Sequence, residues 1–428
     1  MPKLLKNNYV ILTLLFVLSR VAFYKFLPFD TSSLVRAWQL LDPLWLYNLP
    51  LKDIFIYLHM QPPLFNTFTA ISLKVFGDPT PFWEITFFIL GFLCVLIAYE
   101  TGKLLKIRRR ILLPILVFLL VFNINFIVYE RWYFYTYPTM FLFLLYIFLF
   151  LKGRYFLAFM VLALLIFTRA TFQIILFPII WLFAFFFMRS GFKSVFLSSL
   201  LPFAISLTLY LKNLFLFGGF FTSSWGGMNL YRGILITGKI IPIERDCNFL
   251  KPFSKVKDYK EYFYYEKTGI TILDEETEPY TKRNNYNHII YTKVNDKYLK
   301  LSFSCLTKEP YRLLIMFGVS LVRFLKPPFE YLREFSKRFK FFSVPYMILT
   351  LLFVLSIFLL FADWKNPKIA FTLLNLIYYI LITSLDPGEN NRFRMVVEPI
   401  FILSFAYAIN RITSSKWKSS RAQKGLNM

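Results

Sequence analysis

The chain has 428 residues, of which 57% are hydrophobic and 21% aromatic, and its mean hydropathy is +0.55. A soluble domain of this length has too little interior for so much apolar surface, so the composition excludes a soluble globular protein. The formal net charge of +25 would suit a nucleic-acid partner, but the basic residues cluster in short loops between apolar runs, as in KLLKIRRR (103–110). This distribution follows the positive-inside rule for membrane proteins and argues against nucleic acid as a partner.

The N-terminal runs predict one membrane crossing followed by a long outer loop. A first transmembrane helix is expected near residues 9–28, with lysines on its cytoplasmic side. The next apolar run, 62–76, is too short to cross a bilayer of roughly 30 Å. The run after it, 82–100, ends at the basic KLLKIRRR, which would lie outside if both runs crossed. We therefore expect residues 30–80 to form an outer loop of short helices lying on the membrane.

The remaining apolar runs alternate across the membrane and complete the predicted topology. A polar segment, 216–310, is the largest soluble piece and lies outside by this count, while the short, arginine-containing run 311–325 is expected on the surface. The basic patch at 333–340 also falls outside, which the positive-inside rule disfavours. The further spans are predicted near 111–128, 134–151, 155–168, 171–188, 194–214, 342–362, 367–385 and 395–411.

These elements predict an all-α polytopic membrane protein with about ten transmembrane helices, and between roughly nine and twelve. Three parts follow: an N-terminal transmembrane module (1–215), an extracytoplasmic loop or small domain (216–310), and C-terminal transmembrane helices with a basic cytoplasmic tail (311–428). No phosphate-binding glycine loop, zinc-ligand set or serine nucleophile elbow is present in the sequence. Cys247 and Cys305 share the outer segment, where they either pair in an oxidising compartment or remain two unrelated buried thiols.

Under this topology the unusual polar residues gather on the outer side of the membrane. Charges at membrane depth are costly and usually line cavities or face partners. The planar fork of arginine binds phosphate oxygens through two hydrogen bonds, and a carboxylate can take the proton of an attacking hydroxyl. Acids and arginines at one interface therefore suit a lipid phosphate and a polar acceptor. These residues are Asp30, Asp42, His59, Gln61, Glu130, Arg131, Arg169, Trp225, Asn229, Glu389, Arg392 and Arg394.

A purely structural role is open for each of these residues as well. Aspartate is a favoured helix cap, adjacent Glu and Arg residues can form a local ion pair, and arginines at span ends can snorkel to the interface. Such roles would make Asp30 and Asp42 caps, His59 a residue bonded to the backbone, Glu130 and Arg131 a local pair, and Arg169, Arg392 and Arg394 membrane anchors.

Several motifs together resemble those of the GT-C membrane glycosyltransferases. They are Asp30 after the first span, an H-x-Q-P-P-L loop at 59–64, Glu130 opening the second outer loop, and a late E-x-x-R-x-R at 389–394 before a proline-containing span. The branch that they resemble holds the polyprenyl-phosphate-dependent protein mannosyltransferases and the lipid A aminoarabinose transferases. Those enzymes move a sugar from a polyprenyl-phosphate carrier to an acceptor outside the cytoplasm. The resemblance runs in order over most of the chain.

The resemblance implies roles for individual residues. Asp30 would be the general base that deprotonates the acceptor, Glu130 the acidic position of the second loop, and His59 with its prolines part of the active-site floor. Glu389, Arg392 and Arg394 would lie near the carrier phosphate. Two departures stand out: Thr31 follows Asp30 where the family often has glutamate, and Arg131 follows Glu130 where some members have a second acid. The second departure weakens the case for a divalent metal, which stays possible, and no cofactor is implied with certainty.

The resulting expectation is an integral glycosyltransferase of the bacterial cytoplasmic membrane, with its active site facing the extracytoplasmic side. Its partners would be a polyprenyl-phosphate sugar donor, a lipid, glycan or protein acceptor, and membrane lipids. One alternative is a transporter or flippase of lipid-linked saccharides, which would distribute polar residues through its spans. A polymerase or ligase of such saccharides and a non-catalytic envelope assembly protein are further alternatives.

Overall fold

The computed structural model describes residues 7–241, 247, 250–331, 341, 343–386 and 388–425. Within these ranges the regular elements are helices, and β pairing is limited to two isolated bridges, Asp30 with Trp132 and Thr277 with Asn284. The basic patch at 333–340 lies outside the described residues. In chain order the helices are α1 Asn8–Tyr24, α2 Ser33–Arg36, α3 Pro43–Asn48, α4 Leu51–Tyr57, α5 Leu64–Phe76, α6 Thr80–Leu104, α7 Arg109–Leu116, α8 Ile124–Glu130, α9 Thr136–Leu151, α10 Tyr155–Thr168, α11 Leu176–Phe187, α12 Phe192–Phe217, α13 Gly226–Thr237, α14 Val256–Lys260, α15 Thr271–Asp274, α16 Ile290–Lys308, α17 Tyr311–Phe324, α18 Ser343–Phe361, α19 Pro367–Ser384 and α20 Asn390–Gly425.

Five stretches of helix among the described residues are long and apolar enough to cross a bilayer, and a bent pair, α7 with α8, would make a sixth. They coincide with six of the predicted spans, and the chain is therefore a helical membrane protein. The other four predicted spans fall on α1, α9, α10 and α11, which are apolar but have only 12 to 17 residues. Since a crossing takes roughly 20 residues, the count of about ten spans stays a prediction.

The first outer loop and the polar segment share one apolar core. The loop contains the four short helices α2 to α5, and α5 begins directly after Pro63 with 13 residues. Trp45 and Ile54 from this loop pack in one cluster with Tyr231 and Tyr291 from the polar segment. Burial of these large side chains holds the two stretches together, so that the turns of both face a common space.

A disulfide joins Cys247 and Cys305, whose Cα atoms are 5.8 Å apart. Of the two alternatives that the sequence left open, pairing is the one found. The Tyr231 hydroxyl donates to the Cys247 carbonyl at 2.8 Å, which ties α13 to the same point. Cys94 is free and buried in α6.

The predicted span at 111–128 is broken rather than continuous. After α7, a π-helical turn covers Val117–Val121, and α8 then leaves at an angle of 51°. Pro114 lies inside α7, and its ring and missing N–H weaken the helical ladder at this point. The carbonyl of Val121 accepts a hydrogen bond from Arg20 of α1, so the freed backbone group is satisfied by a buried cation.

Gly91 makes room for a buried carboxylate, and we expect Gly91→Ala to destabilise the protein. A Cβ atom there would lie against Glu130 Oε2 and the Tyr137 hydroxyl. Overpacking of this kind costs about 1–3 kcal/mol of the free energy of unfolding. Thermal unfolding in detergent measures the loss. Gly318→Ala is the matched control, because a Cβ at that helical glycine meets nothing within 4 Å and is expected to be neutral or stabilising.

Candidate functional site

A cavity of about 400 Å³ opens where the first outer loop, the start of α13 and the start of α20 meet. Its wall combines apolar side chains such as Phe220, Phe221 and Phe303 with polar and charged ones. Binding sites for small molecules are typically concave, largely apolar and fitted with a few polar groups. Six residues singled out from the sequence line it: Gln61, Arg169, Trp225, Asn229, Glu389 and Arg392.

Helix ends and turns bring these side chains together. Arg169 directly follows α10, and Glu389 directly precedes α20. Gln61 is held through its neighbours, because the Ser224 N–H donates to the His59 carbonyl at 2.8 Å and the Ser223 hydroxyl donates to the Met60 carbonyl at 2.5 Å. Functional side chains thus come from irregular backbone supported by helices, as is common in binding sites.

Arg169 is the cation in the cavity wall that has no acidic partner among the described residues. Its side chain is 2% exposed, and neither Nη1 nor Nη2 makes a hydrogen bond within the described chain. The guanidinium carbon lies 4.5 Å from the ring centroid of Phe393 and 5.2 Å from that of Tyr135. Cation–π contact compensates only part of the cost of burying a charge, so the two nitrogens are open to an anion.

Arg392 and Glu389 form a second charged group in the same wall. The guanidinium of Arg392 forms an ion pair with Glu389 and donates to the Tyr135 hydroxyl at 3.3 Å. Gln39 donates to the other carboxylate oxygen of Glu389 at 3.2 Å. Arg392 also lies 5.6 Å from the Phe393 ring and 5.5 Å from the Tyr135 ring. Both guanidinium groups therefore contact the same two aromatic rings, and only one of them has a carboxylate partner.

Residues that the sequence analysis did not select complete the wall. Arg232 pairs with Asp386, and Gln173 accepts from the Tyr210 hydroxyl at 2.6 Å and donates to Thr222 at 3.1 Å. Arg232 follows Asn229 by three positions, and Asp386 precedes Glu389 by three positions. With these residues included, the lining carries three arginines and two carboxylates, which leaves a positive excess.

Glu130 and Arg131 lie outside this cavity, and the alternative of a local pair between them is wrong. Glu130 pairs with Arg20 at 2.7 Å and accepts hydrogen bonds from the Tyr24 and Tyr137 hydroxyls. Arg131 points the other way, forms an ion pair with Glu84 and donates to the Leu27 carbonyl at 2.7 Å. Because both side chains are buried among fixed partners, their contacts in this state are structural.

Arg394, Asp30 and Asp42 are also absent from the cavity wall. Arg394 follows Arg392 by two helical positions, which turns its side chain to the opposite face, where it pairs with Glu398 at 2.9 Å. Asp30 accepts from the Ser32 N–H at 2.8 Å, and its backbone bridges the second outer loop. Asp42 caps α3 by accepting from the Leu44 N–H at 2.9 Å, which confirms the capping role considered for it.

His59 is fully buried behind the cavity and does not line it. Its ring Nδ1 lies 2.7 Å from the Ser224 hydroxyl, and its backbone N–H donates to the Asn287 side-chain oxygen at 2.9 Å. Burial, with a smaller contribution from Lys212, lowers the pKa of His59 to about 3. The ring is therefore neutral at physiological pH and joins the outer loop to the polar segment.

The buried His59 predicts a measurable loss of stability in weak acid. Its folded pKa of about 3 lies below the unfolded value of about 6.5, so the unfolded chain binds the extra proton between these limits. The free energy of unfolding should then fall by about 2 kcal/mol from this group as pH drops from 6.5 to 5. Thermal unfolding of wild type and His59→Asn at both pH values measures the difference. Equal pH slopes for the two proteins would contradict the prediction.

Acidic and metal-binding side chains are sparse around the cavity. Among the residues that the structure describes, no group of three or more His, Cys, Asp or Glu side chains gathers closely enough to hold a metal ion. The polar groups of the wall can instead hold an anion at Arg169, accept a proton at Glu389 and hydrogen-bond hydroxyls through Gln61, Asn229 and Gln173.

No protein-family model, curated protein or solved structure matches this chain. The chemistry of the site therefore rests on its own residues: a buried arginine with no acidic partner in the described ranges, a carboxylate held by an amide and an arginine, and an apolar wall.

Proposed function

We propose that this chain is an integral membrane glycosyltransferase that moves a sugar from a polyprenyl-phosphate donor to an extracytoplasmic lipid, glycan or protein acceptor. The observation that supports it best is the buried guanidinium of Arg169, which has no acidic partner within the described chain and faces a cavity with phenylalanine walls. A phosphate attached to an apolar chain matches both halves of that environment, because arginine pairs phosphate oxygens and Phe side chains pack a prenyl tail.

The proposed reaction is one displacement at the anomeric carbon of the donor sugar. The acceptor hydroxyl oxygen forms the new bond to that carbon, the bond from the carbon to the phosphate oxygen breaks, and its electron pair leaves with the polyprenyl phosphate. Arg169 stabilises the charge that develops on the leaving phosphate, and Arg392 adds to the positive field. The hydroxyl proton passes to a carboxylate, for which Glu389 in the wall and Asp30 in the adjoining outer loop are the candidates.

The proposal includes the finer topology. About ten spans would place the ends of α10 and α19 and the start of α20 on one side of a bacterial cytoplasmic membrane. In that arrangement α1, α9, α10 and α11 cross as short helices extended by flanking residues, and the cavity opens to the extracytoplasmic side. A long prenyl tail can then leave the cavity directly into lipid.

Transfer by the purified protein in lipid nanodiscs is the direct test. A panel of polyprenyl-phosphate hexoses and pentoses, labelled in the sugar, is offered with envelope lipids and glycans, and released polyprenyl phosphate and labelled product are measured. Asp30→Asn and Glu389→Gln then separate the two candidate bases, since only loss of the true base abolishes transfer in a stably folded protein. Comparing envelope glycans of the Asp30→Asn strain with a full deletion by mass spectrometry tests the same assignment in cells.

The flippase alternative gives a different result in the same system. If labelled carriers bind and change leaflet in liposomes while no sugar leaves the phosphate, the protein is a transporter and the proposal fails. The cavity itself gives no preference for transport, because its charged residues lie in one cluster rather than along a path.

A further inference from the structure

Resting on the proposed function, we propose that the polar segment carries a second binding site, a basic groove that holds an acidic saccharide portion of the acceptor. The groove has a volume of about 800 Å³ and is lined by residues of the stretches 251–258 and 282–286 together with Trp38 of the outer loop. Its volume lies in the upper part of the range usual for ligand sites. The cavity lined by Arg169 and Glu389, called the donor cavity from here on, gives no role to this groove.

The charge of the groove is strongly one-sided. Five cations and one carboxylate line the groove. The carboxylate, Asp258, already accepts a hydrogen bond from the backbone N–H of Lys255 at 3.0 Å. Arg283 is fixed at the wall because its Nε donates to Glu278 at 2.7 Å. The five cationic side chains are Lys251, Lys255, Lys257, Lys282 and Arg283.

The four lysines of this groove form no ion pair with any residue that the structure describes. Lysines elsewhere in the same segment do find acids, as Lys260 does with Glu276 and Lys300 does with Asp296. Several cations that line one groove with a single carboxylate raise the local concentration of anions there. A ligand with repeated carboxylates or phosphates can contact more than one of these cations, which a single small anion cannot.

Aromatic side chains give the groove an affinity for sugar rings. Trp38 stacks on Trp225 with centroids 4.7 Å apart, and its edges meet Phe253 at 4.6 Å and Tyr286 at 5.2 Å. The C–H faces of pyranose rings pack on such aromatic surfaces. The aromatic surfaces, which suit sugar rings, and the cations, which suit acidic groups, together favour an acidic glycan as the ligand.

Trp38 also connects the groove to the donor cavity. It lines both spaces, and its stacking partner Trp225 lines the cavity. A saccharide bound in the groove would therefore reach the cavity past this tryptophan, with its terminal hydroxyl near Glu389 and Arg169. The arrangement explains why the aromatic cluster is built from both the outer loop and the polar segment.

A membrane surface fits the groove less well than a glycan. Proteins that bind anionic bilayers with lysines usually insert exposed apolar side chains beside them. Trp38, Phe253 and Tyr286 are instead only partly exposed and pack against one another.

Binding of a defined acidic oligosaccharide tests the proposal independently of sugar transfer. Full-length protein in phosphatidylcholine nanodiscs is titrated with fluorescent hexagalacturonate, with neutral maltohexaose as the comparison. Neutralising three groove lysines should weaken hexagalacturonate binding on the order of tenfold, and binding should fall with salt, while the control variant stays within about twofold. The groove variant is Lys251→Gln/Lys257→Gln/Lys282→Gln, and the control with the same charge change is Lys267→Gln/Lys293→Gln/Lys300→Gln.

Three outcomes would overturn the assignment. Equal binding of maltohexaose would remove the role of charge, and equal losses in both lysine variants would show attraction to net charge alone. Absence of hexagalacturonate binding, with lysine-dependent binding to phosphatidylglycerol vesicles, would make the groove a membrane contact. Hexagalacturonate binding is measured without any sugar donor, so binding that depends on the groove lysines in a protein that transfers no sugar would overturn the proposed function alone, and sugar transfer without such binding would overturn the groove alone.

Discussion

Replacing Arg169 with glutamine is expected to lower the rate of sugar transfer by about 10²–10³, since a preorganised donor to developing charge contributes that much in a dry site. Arg169 is buried, and its Nη1 and Nη2 have no partner in the described chain, so the substitution removes no internal ion pair. The measurement is release of polyprenyl phosphate under single-turnover conditions. Thermal unfolding should change little, because a neutral amide is cheaper to bury than an unpaired charge.

Arg169→Lys is the informative companion variant. It keeps the charge but loses the planar fork, so transfer should fall to an intermediate rate while phosphate affinity is partly kept. The two rings that the guanidinium contacts, Phe393 and Tyr135, also lose their stacked partner. If Arg169→Gln transfers sugar at the wild-type rate and the protein is folded, Arg169 has no role at the phosphate and the proposed function loses its main support.

Removing Arg20 while Glu130 remains is expected to cost about 3–5 kcal/mol of the free energy of unfolding, because it leaves a buried carboxylate without its partner. Arg20 is 2% exposed and Glu130 is 1% exposed, and Arg20 Nη2 lies 2.7 Å from Glu130 Oε2. Arg20→Met is the direct test, measured by thermal or denaturant unfolding in detergent. The double variant Arg20→Met/Glu130→Leu should recover part of the loss, since an apolar pair replaces the buried ion pair at little cost, while the Tyr24 and Tyr137 hydroxyls lose their shared acceptor.

The same double variant separates two roles for Glu130. The resemblance to GT-C enzymes implies a catalytic acid, whereas the contacts with Arg20, Tyr24 and Tyr137 form a closed internal group. If the group is structural, the stabilised double variant keeps sugar transfer near the wild-type rate. Loss of transfer in a double variant of normal stability would instead assign Glu130 to the reaction.

The sequence predicts the helical membrane class well because long apolar runs have few alternatives in a bilayer. It does not predict the break at Val117–Val121, since the run 111–128 is apolar except for Asn123 and Asn125, and these residues with Pro114 are its only irregularities. It also misses the partner of Glu130. Arg20 was visible as a cation inside the first apolar run, but the two residues are 110 positions apart and only tertiary packing brings them together.

The candidate cavity was predictable in part because the predicted topology places several span ends on one side of the membrane. Arg169, Glu389 and Arg392 belong to that group. The direction of side chains along a helix was not predictable from the sequence. It separates Arg394 from Arg392, although both were expected near the phosphate. Nor does the sequence indicate that Gln39 reaches Glu389, because that contact depends on how the outer loop folds over the bundle.

The bond between Cys247 and Cys305 serves as a built-in reporter of membrane sidedness. Disulfides persist in the periplasm or outside the cell and are reduced in the cytosol, so the oxidation state records where the polar segment resides. Alkylation of unreduced membranes followed by mass spectrometry should modify neither cysteine, and modification of both would place the groove and the cavity on the cytosolic side. Because the bond links residues 58 positions apart, in the proposed topology it closes only after the intervening chain has been exported. Both stretches that line the proposed groove, 251–258 and 282–286, lie between the two cysteines, so cell-free synthesis under reducing conditions should weaken the groove while the helices of the bundle still form.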